Sequence, residues 1–243
     1  MFLRSPADIC IYGGAAGGGK TYALLLECLR HIDNKLFEAV IFRQSRPQIM
    51  SAGGLYATSQ EIYPHLGASS VLTPNVQWRF QSGAKVTFAH MFYEKEKYNW
   101  QGSQIPLLMF DALGHFTESQ FFYMFSRNRS TCGVRPYIRA TCNPDGESWV
   151  ARFIDWWIDP ETGYADESRC GKLRYFIRRN NIIHWADTPQ QLYEEFHLYS
   201  PEEMEEVKSV SFISAKLTDN AAMMKHDPGY IGALKAMSEF DQE

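Results

Sequence analysis

The 243 residues carry 24 Lys and Arg against 28 Asp and Glu, a net charge of −4, with 45% hydrophobic and 21% charged residues. This composition excludes disorder and allows a packed core without covalent staples. No stretch reaches the roughly 18 apolar residues of a membrane span, and the N-terminal MFLRSPADIC lacks a signal-peptide pattern. Five scattered cysteines (Cys10, Cys28, Cys132, Cys142, Cys170) argue against a disulfide framework and a structural zinc, and for a soluble protein of a reducing compartment. The mild acidity argues against a protein that coats nucleic acid everywhere, though not against one that grips it locally.

In chain order, Ile9–Tyr12 is an apolar run ending in glycines, a buried strand. Tyr22, Leu25, Leu26, Leu29 and Ile32 then recur at helical spacing. Ala39–Phe42 is a second strand, and Ser45 with Gln48 forms a capping box opening a helix toward Tyr63. Gln77–Phe80 and Lys85–Ala89 read as a hairpin. Leu107–Phe110 suits a strand covered on both faces. Thr117 with Gln120 caps a helix through Phe125, Tyr137–Thr141 is a strand, Trp149–Ile158 a helix with an apolar face, and Leu173–Ile177 a further strand. Thr188-Pro189-Gln190-Gln191 and Ser200-Pro201-Glu202-Glu203 each open a short helix. Ser209–Ala215 is the last strand, and Asp227-Pro228 opens a final helix. The alternation predicts an α/β fold: a mostly parallel central sheet flanked by helices, with a small helical lid subdomain. Residues 1–180 and 208–217 form its core, and 181–207 and 218–243 the lid-like part.

Gly14-Ala15-Ala16-Gly17-Gly18-Gly19-Lys20-Thr21 fits G-x-x-x-x-G-K-[ST], the Walker A phosphate loop, and lies between a predicted strand and a predicted helix. Glycines let successive N–H groups face phosphate oxygens, and the helix N-terminus adds about half a positive charge. A ligand-free glycine-rich turn is the plain alternative, and the strand, Lys-Thr pair and helix together weigh against it. The nucleotide-binding set is Gly14, Ala15, Ala16, Gly17, Gly18, Gly19, Lys20, Thr21 and Tyr22. Lys20 reaches the β- and γ-phosphates of ATP, and the Thr21 hydroxyl ligates Mg²⁺. The second half of the site, Walker B, needs an acid at the end of an adjacent strand. Asp111 supplies it and holds Mg²⁺ through water; the alternative is a strand-end aspartate in a turn. In the ASCE class of P-loop NTPases, a catalytic glutamate follows that aspartate and polarises the attacking water. Here Ala112 stands in that position, and a methyl group accepts no proton. Glu118 is better explained by the dipole of the helix it opens. Thr141 or Asn143, in Ala140-Thr141-Cys142-Asn143-Pro144, suits a position beside the γ-phosphate, and equally an ordinary strand-to-loop turn.

The order GGAAGGGKT, IFRQSRPQ, LLMFDALGHF, SRNRSTCGVRPYIRATCNP and KLTDN resembles the ATPase domain of the terminase large subunit of tailed bacteriophages, over about Ile9 to Asp241. The resemblance implies an ATPase motor that threads double-stranded DNA through a portal protein into a procapsid. It implies a homo-oligomeric ring, a small terminase subunit as partner, no membrane, and the host cell cytoplasm as location. A nuclease domain normally follows; it is expected to be absent here, because no carboxylate cluster remains to serve it. The family pattern reads Asp-Glu where this chain has Asp111-Ala112, which implies a hydrolysis-impaired molecule, altered by design or, less simply, a naturally inactive relative. Thr141, Cys142 and Asn143 match the segment that couples hydrolysis to movement.

An arginine finger is expected from a neighbouring subunit. Arg127, Arg129, Arg43 and Arg46 are candidates, each equally readable as a surface or structural arginine. Duplex DNA is expected to be gripped without regard to sequence. Arg127, Arg129, Arg135 and Arg139, or Lys172, Arg174, Arg178 and Arg179, could line its channel or form a solvated basic face. Trp149–Trp157 reads as core. Two other functions fit the phosphate loop: a nucleoside-kinase-type phosphotransferase, and a nucleotide-gated assembly module without turnover.

Overall fold

Ile9–Gly14 forms β1, and its residues point alternately to the two sides of the sheet: Ile9 and Ile11 into one apolar core, Cys10 into the other. The computed structural model describes residues 1–14, 17–143, 146–215 and 225. The same period-two division runs through β2 (Glu38–Arg43), β6 (Leu107–Phe110) and β7 (Tyr137–Cys142). Strands buried on both faces need apolar residues at both parities, which is why these segments read as continuous hydrophobic runs.

Among the described residues the sheet has ten strands. β5 (Lys85–His90), β2, β6, β7, β1 and β10 (Lys208–Ala215) lie side by side and parallel. Antiparallel strands extend both edges: β4 (Val76–Arg79) and β3 (Ser69–Val71) beyond β5, β8 (Leu173–Arg179) and β9 (Ile182–Ala186) beyond β10. One face is covered by α4 (Glu118–Phe125) and α5 (Trp149–Ile154), whose Phe121, Phe122, Phe153 and Ile154 join the first core. The other face carries α1 (Lys20–Glu27), α2 (Arg46–Met50) and α3 (Leu55–Gln60), contributing Leu24, Leu25, Ile49 and Leu55. The three layers position the C-terminal ends of the parallel strands along one edge, where open α/β sheets hold ligands.

Several expectations change in detail. The helix expected from Ser45 toward Tyr63 is two helices, because the chain turns extended at Ser51 and the Gly53-Gly54 pair opposes helix continuation. The one expected over Trp149–Ile158 ends at Ile154 and continues as one 3₁₀ turn, Asp155–Trp157. The segment 181–207 opens with β9, paired to β8 in the main sheet. Only then come α6 (Pro189–Glu195) and α7 (Pro201–Met204), which close over a small core of Ile177, Ala186, Leu192, Leu198 and Val207. The acidic strand β6 is not adjacent to β1, since β7 lies between them. Ala15, Ala16, Pro144, the KLTDN segment, the helix expected from Asp227 and the lid-like part at 218–243 lie outside the described residues.

Candidate nucleotide site

The site is assembled where β1, β7, β6 and β2 end. At Gly14 the backbone has φ 131°, and a Cβ there would lie 2.4 Å from the carbonyl oxygen of Ala215. Only glycine fits this close approach of β1 to β10. Gly19, left-handed at φ 76° and ψ 17°, turns the chain into α1. Lys20 then opens the helix, and its ammonium donates a hydrogen bond to the Gly14 carbonyl at 2.8 Å. Burial lowers the Lys20 pKa, while Cys142 and Asp111 oppose the shift. Gly18 is buried, and its carbonyl accepts from the Tyr12 hydroxyl at 3.4 Å. Tyr22, in the expected nucleotide set, is 46% exposed on the outer side of the first turn.

Thr21 faces Asp111. Its hydroxyl lies 3.4 Å from each oxygen of that carboxylate. Asp111 is buried and held from β7 as well: the Thr141 hydroxyl donates to its Oδ1 at 2.7 Å and accepts from the Ala112 backbone N–H at 2.9 Å. The intervening strand is therefore a bridge rather than a spacer. Thr141 joins the Asp111 carboxylate to the backbone of the residue that follows it. Ala112 itself is left-handed at φ 61° and ψ 66°, a conformation costing a non-glycine residue about 1–2 kcal/mol. The hydrogen bond from His115 N to its carbonyl at 3.0 Å closes the turn. This turn borders the end of β7, a Cβ on Gly114 coming within 3.9 Å of the Asn143 carbonyl. Cys142 is buried, which raises its pKa to about 12 despite Lys20, so it is a neutral space-filling thiol there.

One member of this cluster carries a different expectation in the sequence. Arg43, at the end of β2, is a candidate there to act on a neighbouring subunit's site. It lies instead in its own, with Nε 3.2 Å from Asp111 Oδ2. His115 is exposed beside the same group: burial lowers its pKa, Arg43 adds to the effect, and Asp111 opposes it. Glu118 is turned away, with its carboxylate 3.8 Å from Arg178.

Arg127 and Arg129 stand at the opposite edge of the sheet. The Arg127 carbonyl accepts from Ile105 N, just before β6 begins, and its guanidinium lies over Tyr123. Arg129 donates to the Gly102 and Ser103 carbonyls, and Arg46 to those of Leu72 and Pro74. Within one chain neither Arg127 nor Arg129 approaches the phosphate loop. Of the basic groups, Arg139 is buried and Arg135 pairs with Asp8 at 3.1 Å. Arg174 and Arg178 share one face of β8, each over an aromatic ring.

Comparison with known proteins places this architecture. No curated protein sequence matches the chain. The large terminase ATPase domain of Thermus phage P74-26 superposes with a TM-score of 0.51 at 11% identity, covering 98% of this chain and 86% of that one. The large terminase of a second thermophilic bacteriophage, solved with ATP-γ-S and with ADP, gives TM-scores of 0.52 and 0.53 at 13% and 11% identity. These matches cover 98% and 96% of this chain, which spans under half the length of that second terminase (47% and 46%). At such identities they establish the fold, that of a P-loop ATPase domain. The family model described as terminase large subunit, T4likevirus-type, N-terminal, matches residues 11–242. The chain belongs to the terminase large subunit family and matches its N-terminal region.

Proposed function

We propose that this domain binds ATP with Mg²⁺ and serves as one subunit of a ring-shaped motor that moves double-stranded DNA through a portal protein into a procapsid. In this reading the small terminase subunit is a partner and the host cytoplasm the place of action. Among the described residues no helix is long and apolar enough to cross a membrane. The observation that carries the reading is the convergence of Lys20, Thr21 and Asp111 from two separate parts of the sequence onto one strand-end cleft. The donor set fits a hard divalent ion: a hydroxyl and a carboxylate, all oxygen. Among the described residues no cluster of three His, Cys, Asp or Glu forms an all-protein cage. That suits Mg²⁺, which retains water and takes phosphate oxygens.

When bound, the ion offsets charge on the phosphates. The chain's own residues do the rest. Loop amides cradle the phosphate oxygens, Lys20 neutralises them, and Thr141 orients Asp111. What this chain lacks is a proton acceptor at 112, so it binds nucleotide and turns it over slowly. An arginine from a neighbouring subunit completes the charge balance and contributes on the order of 10³–10⁵ in rate.

Titration with a fluorescent ATP analogue is expected to give Lys20-dependent binding, at least tenfold weaker in Lys20→Ala. Ala112→Glu is expected to raise Mg²⁺-dependent hydrolysis when full-length subunit, portal and DNA are present. A revertant that binds ATP yet stays inert there removes the catalytic role of position 112.

A further inference from the structure

Arg43 shares an unbonded Nε with Arg139, Arg174 and Arg178, and is the one of these four whose paired carboxylate also faces the Thr21 hydroxyl at the strand-end cleft. Its Nε is 3.2 Å from Asp111 Oδ2, yet it is not aligned for a hydrogen bond and finds no other acceptor. The opposite oxygen, Oδ1, is fixed by the short bond from Thr141. One side of the carboxylate is thus locked, and the other faces a cation held by proximity alone. Two contacts in series, 3.2 and 3.4 Å, link that cation through Asp111 to the Thr21 hydroxyl. The guanidinium therefore stands at the carboxylate a divalent ion would use.

The surroundings confine any movement to the side chain. The Arg43 carbonyl accepts from Met91 N at 3.1 Å, and the Phe42 carbonyl from Asp111 N at 2.9 Å. The next residues are fixed by the Ser45–Gln48 capping box and by the long bond from the Gln44 side chain to the His115 carbonyl. The side chain is 23% exposed against 5% for Asp111, so it has a path into the cleft. Arginine also pairs with phosphate as readily as with carboxylate, through several donors.

We propose that Arg43 is a positioning residue that acts as a resident counter-cation: it neutralises Asp111 while the cleft is empty and exchanges the carboxylate for phosphate oxygens when nucleotide and metal arrive together. Metal alone then competes with a tethered positive charge and binds poorly. Metal with nucleotide offers the guanidinium a new partner, and the competition disappears. Binding of the two ligands becomes coupled through one side chain. This inference rests on the proposed nucleotide role of the cleft.

The test measures Mn²⁺ affinity by electron paramagnetic resonance, with and without ATP, for the unsubstituted chain, Arg43→Gln, Arg43→Ala and Arg43→Lys. Without ATP, the two neutral variants are expected to bind Mn²⁺ at least about tenfold tighter than the unsubstituted chain, and the lysine variant to bind it as poorly as the original. With ATP, the neutral variants are expected to lose that advantage or fall below the original. Unchanged Mn²⁺ affinity in neutral variants that still bind ATP overturns the proposal, as does an equal gain with and without ATP. Failure of the unsubstituted chain to bind Mn²⁺ and ATP together overturns instead the nucleotide reading beneath it.

Discussion

Of the arginine–carboxylate pairs among the described residues, one lies at the strand-end cleft and another beneath α1. In the lower pair, Arg139 is buried and donates to three carbonyls: Ala7 at 3.0 Å, Ile138 at 2.9 Å and Ser5 at 2.9 Å. Its guanidinium lies over Tyr137, and its Nε is 4.0 Å from Glu27, which also receives Arg30 at 2.7 Å. In the upper pair, Arg43 is partly exposed and misaligned. The chemistry of the groups is the same. What differs is how many acceptors the guanidinium already has. Nε is unbonded in both, but Arg139 is anchored through its terminal nitrogens by three carbonyls, which fixes structure, whereas Arg43 beside an open cleft is available to a ligand.

The strongest way to break this comparison is to remove each guanidinium. Arg139→Ala leaves Glu27 deep in the core with half its counter-charge, and is expected to cost about 3–5 kcal/mol in urea denaturation. Arg43→Gln leaves the buried Asp111 without its nearby cation but with the hydrogen bond from Thr141, and is expected to cost less, about 1–3 kcal/mol. Similar losses from the two would erase the distinction. A finer probe is Thr141→Val, close to isosteric. It removes the hydrogen bond to Asp111 and leaves the Ala112 N–H without its acceptor, at an expected cost of about 1–3 kcal/mol by the same measurement.

The smallest effect comes from a third pair, the half-exposed Glu94 with the buried Lys97. Glu94 has its pKa lowered to about 2: burial works against the shift, but hydrogen bonds from Lys97, Thr117 and Ser119 outweigh it. A carboxylate depressed in the folded state adds stability above its unfolded value near 4.5, and that stability is lost as pH falls toward about 2. Glu94→Gln is expected to flatten the acid limb of the unfolding curve within that window. The change is under about 1 kcal/mol, because nearly half of the side chain is in water.

Much of the fold is legible in local sequence. Ser45–Gln48, Thr117–Gln120 and Ser200–Glu203 form reciprocal capping bonds, and in Thr188–Gln191 the Gln191 side chain accepts from Thr188 N, because a cap needs only groups three residues apart. The apolar runs give the central strands for the same reason. Strand order is not local. Nothing in Tyr137–Cys142 announces that it inserts between β1 and β6, so the Thr141–Asp111 bond is invisible in the sequence, and Arg43 reads there as an arginine-finger candidate or a structural arginine. The β8–β9 hairpin, by contrast, has a signal. Asn180 and Asn181 both adopt positive φ, 51° and 63°, as in the tight turns that asparagine tolerates, and an apolar run follows at Ile182.

The Lys20 contact with Gly14 has a consequence for how the cleft fills. A surface lysine recruited by an incoming anion surrenders the freedom of a four-carbon stem, on the order of 1.5–2 kcal/mol. Here that loss belongs to folding, since the ammonium already rests on a backbone acceptor 2.8 Å away. An arriving polyanion swaps one acceptor for a better one, and admission to the cleft is a substitution rather than a capture.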